Sequence, residues 1–121
     1  MRILKLDPGS QPIIMEIEDS LEAMQAIVNG HIQAIYPFKD AIALICNEEG
    51  KILGSPYNRT LRADDTGQIH DIICGTCFLC GAPPDSDSFT GLTDEQLSKY
   101  PEYYSEPELF LAVNNRVVVL K

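Results

Sequence analysis

With 121 residues, the chain has room for one domain with a proper core and not for two. Its hydrophobic fraction of 45% and mean hydropathy of −0.06 are those of a globular protein, which excludes disorder, and no apolar run approaches the roughly 20 residues of a membrane span. A formal net charge of −9 argues against direct binding to a nucleic-acid backbone, which needs clustered positive charge.

Residues 2–6 are apolar at Ile3, Leu4 and Leu6, and residues 13–17 at Ile13, Ile14, Met15 and Ile17. The turn chemistry of Pro8-Gly9-Ser10 between them predicts a hairpin with a loop longer than the two-residue form. Asp19-Ser20 then starts a helix, with Asp19 and Glu22 spaced as in a capping box. Leu21, Met24, Ile27 and Val28 give that helix one apolar face, and Gly30 stands where a helix C-terminus favours glycine.

His31 to Tyr36 alternates and reads as a half-buried strand. Ala41 to Cys46 is apolar throughout, which predicts a central strand covered on both faces. The turn Asn47-Glu48-Glu49-Gly50 leads back through Lys51-Ile52-Leu53 as a further hairpin. Ser55 to Arg62 reads as a loop or a short helical turn. Pro56 bars these residues from a central strand, so they are expected on a rim. Ile69 to Gly81 is the longest apolar run, with Gly75 marking a bulge or a close backbone approach.

Thr93-Asp94-Glu95-Gln96 is a full capping box, with Leu92 and Leu97 spaced as its hydrophobic staple. Pro101 is expected to limit the helix that follows or to begin an irregular tail to Tyr104. Leu109 to Val113 and Arg116 to Leu120 are strands around Asn114-Asn115, two residues that tolerate a left-handed turn. Short connections make the sheet largely antiparallel, with two short helices packed on it. The fold class is α+β, in a single domain spanning residues 1–121.

Tyr57, Asn58, Arg59 and Arg62 are the chain's densest set of ligand-reading side chains. Two guanidinium forks, an amide and an aromatic face suit a small anionic ligand or a nucleotide. On a rim, Arg59 is expected to contribute little to stability; the plainer reading pairs it with nearby carboxylates. Residues 85–108 carry seven acids, Asp85, Asp87, Asp94, Glu95, Glu102, Glu106 and Glu108, against one base, Lys99. With Phe89, Tyr100, Tyr103 and Tyr104 among them, they suit docking of a basic protein, or mimicry of a nucleic acid; the plainer reading is a solvated helix face.

Cys74-x-x-Cys77-x-x-Cys80 has the spacing of a metal grip, with Cys46 as a fourth ligand. In a strand, however, Cys77 faces away from Cys74 and Cys80, so the four cysteines read first as small core residues, with no metal and no cofactor. No signal segment precedes the first strand, so reduced thiols and a cytoplasmic location are expected. No nucleophile elbow, zinc-protease motif or phosphate loop is present. Binding is therefore favoured over catalysis, with thiol or metal chemistry at the cysteines as the enzymatic alternative.

Ile32-Gln33-Ala34-Ile35-Tyr36-Pro37, Asn47 to Lys51, Pro56-x-Asn58-Arg59, Ile73-x-Gly75-Thr76 and Leu92 to Gln96 together resemble the uncharacterised family DUF3846. The resemblance runs through nearly the whole chain in order. It implies a protein of phages, plasmids and conjugative elements of anaerobic gut bacteria, and it supplies no activity or catalytic residue. The family pattern Gly75-Thr76-x-Phe78-x-x-Gly81 does not require cysteine at 74, 77 or 80.

Overall fold

The computed structural model describes residues 1–63 and 65–120. Nine strands and two helices follow one another as β1 (Arg2–Leu6), β2 (Ile13–Glu16), α1 (Leu21–Val28), β3 (Ile32–Ile35), β4 (Ile42–Asn47), β5 (Tyr57–Arg62), β6 (Ile69–Cys74), β7 (Cys77–Gly81), α2 (Asp94–Tyr103), β8 (Leu109–Val113) and β9 (Arg116–Leu120). Five of the strands form one antiparallel sheet in the order β2-β1-β7-β4-β3. Two separate two-stranded sheets, β5-β6 and β8-β9, accompany it. The fold is α+β, as the short connections imply.

Alternation along β1, β4 and β7 divides the core in two. Ile3, Ala43, Ile45, Phe78 and Cys80 face α1 and meet Met24 and Val28. Leu4, Leu6, Ile42, Leu44, Cys46, Cys77 and Leu79 face the other way. There they meet Leu61 of β5, Ile73 of β6, and Leu97, Tyr100 and Tyr104 in and after α2. Each fully buried Leu or Ile contributes about 1.5–3 kcal/mol, so β4 and β7, buried on both faces, dominate the hydrophobic term.

α1 departs from the simplest expectation at both ends, and α2 matches it at its N-terminus but not at Pro101, where the helix does not stop. Ser20, not Asp19, caps α1, accepting from the Ala23 amide at 3.1 Å. Asn29 rather than Gly30 takes the left-handed conformation that closes the helix, with φ 59°. The Asn47 amide donates to the Val28 and Asn29 carbonyls, so the helix end is also held from β4. Both halves of the Thr93–Gln96 box are formed, and Leu92 and Leu97 lie in the core. α2 then continues through Pro101 to Tyr103. Beyond the proline the helix end is packed, with Phe38 meeting the Tyr103 ring at 5.2 Å and the Tyr104 ring at 6.4 Å.

Two further expectations are corrected. Lys51-Ile52-Leu53 is a run of turns and not a strand, because β3 and β7 already take both edges of β4. Its amides close locally, Leu53 to the Glu49 carbonyl and Ser55 to the Gly50 carbonyl. Residues 57–62 are strand β5, paired with β6, rather than a loop on a rim. Pro56 stands just before the first β5 residue, where a strand tolerates it. The apolar run from Ile69 divides at Gly75, whose φ of +81° turns the chain from β6 into β7. Among the described residues, no helix is long and apolar enough to cross a membrane.

Candidate functional site

Of the four residues expected to read a ligand, two are turned into the protein. Asn58 is 0% and Arg59 1% exposed. A bulge between Tyr57 and Arg59 breaks the alternation of β5, so consecutive side chains from Asn58 to Leu61 are all covered. The Asn58 amide donates to the Leu6 carbonyl and the Gly75 carbonyl, each at 2.8 Å, tying the end of β1 to the β6–β7 corner. Arg59 donates through Nη1 to Asn58 Oδ1 at 2.7 Å and through Nη2 to the Ser10 carbonyl at 2.7 Å. It also reaches the Asp7 carbonyl. Its Nε is buried without a hydrogen-bond partner.

Asn58 and Arg59 therefore clamp the β1–β2 loop onto β5. Burial lowers the Arg59 pKa, and Cys77, Glu108 and Asp7 are among the neighbours that pull it back. The expectation that Arg59 stands on a rim is overturned by this burial.

Arg62 is also engaged. Its guanidinium lies 3.5 Å from Glu108, and its Nε donates to the Thr60 hydroxyl at 3.1 Å. Glu108 is buried and accepts from the Thr60 amide at 2.9 Å, with the Thr60 hydroxyl 2.7 Å from its other oxygen. This carboxylate fastens the root of β8 to β5 and is not part of an acidic surface. Tyr100 and Tyr104 are core residues for the same purpose of docking α2. Asp85, Asp87, Asp94, Glu95, Glu102 and Glu106 remain exposed.

The cysteines do not converge as a quartet. Cys77 faces the α2 side of the sheet and Cys80 the α1 side, because neighbouring ladder positions of β7 point to opposite faces. Among the described residues, no group of three or more His, Cys, Asp or Glu side chains is placed to hold a metal ion. Burial pushes the Cys46 thiol up to about 11 and the Cys80 thiol up to about 12, and it raises that of Cys77 as well. These thiols are poor nucleophiles at neutral pH.

The remaining member of the predicted set, Tyr57, is 43% exposed and borders a groove of about 730 Å³. One wall is the turn from Lys51 to Pro56, and the other is β6 from Ile69 to Ile72, with Cys74 at its base. Gly50 allows the turn to lie this close to β6: a Cβ there would stand 2.6 Å from the Cys74 carbonyl oxygen. Lys51 and Asp71 form an ion pair across the groove. The hydrogen bond between them raises the Lys51 pKa and lowers that of Asp71, which also accepts from the Ile72 amide at 2.8 Å. His70 lines the same wall and is exposed.

Sequence reasoning missed Lys51, His70 and Asp71. They lie in two segments joined only by folding, and no motif links them. The visible signal was Gly50, a glycine in a polar turn directly before Lys51.

The fold and this groove define an α+β protein with a ligand-sized concavity at the seam of its β5-β6 sheet. A family model described as Domain of unknown function (DUF3846) matches residues 1–105, and the chain belongs to that family. Neither a curated protein nor a solved structure matches it. The match ends before Glu108 and the β8-β9 hairpin.

Proposed function

We propose that this protein is an accessory protein of a mobile element, the setting implied by its family resemblance, and that it acts by binding a small anionic molecule rather than by catalysis. Its site in this reading is the groove beside Tyr57, with the buried Asn58–Arg59 pair as the frame that holds β5 in place. The supporting observation is the meeting of an exposed aromatic face, an apolar wall and a cation in one cavity. Its volume of about 730 Å³ falls in the range of small-molecule sites.

Tyr57, Ile69 and Ile72 offer a surface to a flat ring. Lys51 and His70 supply donors at the edge, and Ser55 a hydroxyl. A nucleotide carries both matching parts, a planar base and a phosphate. Lys51 is shared with Asp71 at an exposed site, so binding in this groove weakens as salt is added.

The test is a thermal-shift titration of the wild-type chain with mononucleotides and cyclic nucleotides, repeated on Tyr57→Ala and Lys51→Ala. A ligand that binds only the folded state raises the midpoint with concentration. The expected result is a shift in wild type that both variants lose, with the ligand-free stability of Lys51→Ala within about 0.5 kcal/mol of wild type and that of Tyr57→Ala lowered by the lost ring contact with Phe110. No shift with any nucleotide, or a shift that survives both substitutions, overturns the reading.

A further inference from the structure

The end of α1 brings together two residues that react with one another. Of Asn29, Asn47, Asn58, Asn114 and Asn115, Asn29 alone precedes a glycine. Asparagine is among the thermolabile residues, and a glycine after it leaves the next backbone nitrogen unshielded by any side chain. The fold requires both. Asn29 closes the helix at φ 59° and ψ 47°, a conformation that asparagine and glycine adopt at least cost. A Cβ on residue 30 would stand 2.6 Å from Asn47 Nδ2. That nitrogen donates to the Val28 carbonyl at 3.1 Å and to the Asn29 carbonyl at 3.2 Å, so it cannot step aside without releasing the helix end. Packing thus fixes an asparagine-glycine step in place, with Asn29 itself exposed.

We propose that Asn29-Gly30 is a site of spontaneous self-modification, at which the asparagine becomes an acid, and that Asn47 sets its rate by holding the end of α1 closed. The Gly30 nitrogen gives up its proton and attacks Asn29 Cγ. A bond forms between them, the bond from Cγ to Asn29 Nδ2 breaks, and ammonia leaves behind a cyclic imide. Water then opens the imide at one carbonyl or the other, giving aspartate or its β-linked isomer. Water is the sole co-reactant, and nothing is oxidised or reduced.

The closed helix end opposes this reaction at two points. The Gly30 amide donates to the Gln25 carbonyl at 3.1 Å, which holds its proton. The imide ring also needs the ψ of residue 29 well away from the 47° seen here. Reaction therefore proceeds from molecules whose helix end has opened, and its rate follows their population. Asn47 limits that population from β4, with its own Oδ1 held by the Glu49 amide at 2.7 Å. The product disturbs the fold. A new carboxylate meets the negative end of the helix dipole, and the β-linked isomer adds a main-chain atom that shifts the Gly30 amide from its partner. Through Met24 and Val28, α1 covers Ile3, Ala43, Ile45 and Phe78, so conversion loosens that half of the core. The proposal is independent of the ligand groove.

The experiment incubates the full chain at mildly alkaline pH, folded and in guanidinium chloride, for wild type, Asn47→Ala and Asn29→Gly. Peptide mass mapping reads the change from amide to acid at each asparagine. In denaturant, Asn29 is expected to convert before any other asparagine. Folded wild type is expected to convert there at least about tenfold more slowly than in denaturant. Folded Asn47→Ala is expected to convert about two- to tenfold faster than folded wild type, the factor for one lost hydrogen bond. Wild type converted in denaturant, refolded and separated by its added charge is expected to exchange amide hydrogens faster along α1 than the unconverted chain. Asn29→Gly keeps the left-handed cap, has no amide to lose there, and is expected to come through the same treatment with α1 unchanged. If Asn47→Ala does not fold, the folded and denatured wild-type rates decide. Folded wild type that converts at the denatured rate overturns the proposal, as does a folded Asn47→Ala chain that converts no faster than wild type. So does another asparagine converting first in denaturant, or a loosening of α1 that Asn29→Gly shares.

Discussion

Strand β5 and the β8-β9 hairpin invert the usual assignment of residues to inside and outside. β5 buries an asparagine, an arginine and a threonine, while the hairpin leaves Leu109, Leu111 and Leu120 in solvent. The difference lies in what each segment finds opposite it. Asn58 and Arg59 meet carbonyls of Leu6, Gly75 and Ser10, and Thr60 meets Glu108. A buried polar group costs little when its partners are in place and a great deal when one is removed. The hairpin has the converse need, since its apolar face has no opposing layer within one chain. Residue type alone locates neither segment; the partner does.

The comparison is broken most directly at Arg59. Arg59→Ala removes a fully buried side chain and leaves Asn58 Oδ1 without its 2.7 Å donor, so a loss of about 3 kcal/mol or more is expected in chemical denaturation. A loss below about 0.5 kcal/mol, the range of surface substitutions, would return Arg59 to the rim and reopen it as a ligand contact. The next largest effect is expected at Glu108, which joins the two regions. Glu108→Ala leaves the Thr60 amide and hydroxyl unanswered and should cost about 2 kcal/mol, read as a lower denaturation midpoint. Hydrogen exchange should quicken along β8 and β9 before it quickens in β4.

A further effect comes from pH and tests the sheet on which both regions depend. Burial raises the folded-state pKa of Cys46 to about 11 and of Cys80 to about 12, from an ordinary value of 9.0. Above that ordinary value the unfolded chain gives up protons that the folded chain retains, so stability falls as pH rises. The contribution is complete below pH 9 and is lost progressively toward pH 11–12. Denaturation midpoints measured from pH 7 to 11 should hold level and then decline. A Cys80→Ala chain should decline less steeply, and an equal decline in both would remove Cys80 from the account.

Much of the frame was legible because the signals were local. The Thr93–Gln96 box, the unbroken apolar run of β4 and the paired asparagines of the last turn each state their structure within a few residues. Asn114 and Asn115 do take positive φ, 50° and 63°. The candidate site was not legible for the opposite reason. Pro56 and four polar side chains made 56–62 look like a solvent-facing loop, yet the bulge after Tyr57 and carbonyls 52 and 49 residues away in sequence turn Asn58 and Arg59 inward. Tyr57 alone among the four reaches the groove. Lys51 and Asp71, twenty residues apart, become a pair only once β5 has been laid beside β6.

The strand order β2-β1-β7-β4-β3 has a consequence for how the chain comes together as it is made. Strands β1 and β2 form one local hairpin and β3 and β4 another, and neither shares a ladder with the other. Only β7 pairs with both, through Leu79 opposite Leu4 on one edge and Leu44 on the other. A ribosome that has released the first seventy residues has therefore released two unjoined halves. The two-sided insertion of β7 is a non-local step, the slow kind in folding, and until it occurs the inner edges of β1 and β4 stand open to pairing with another nascent chain.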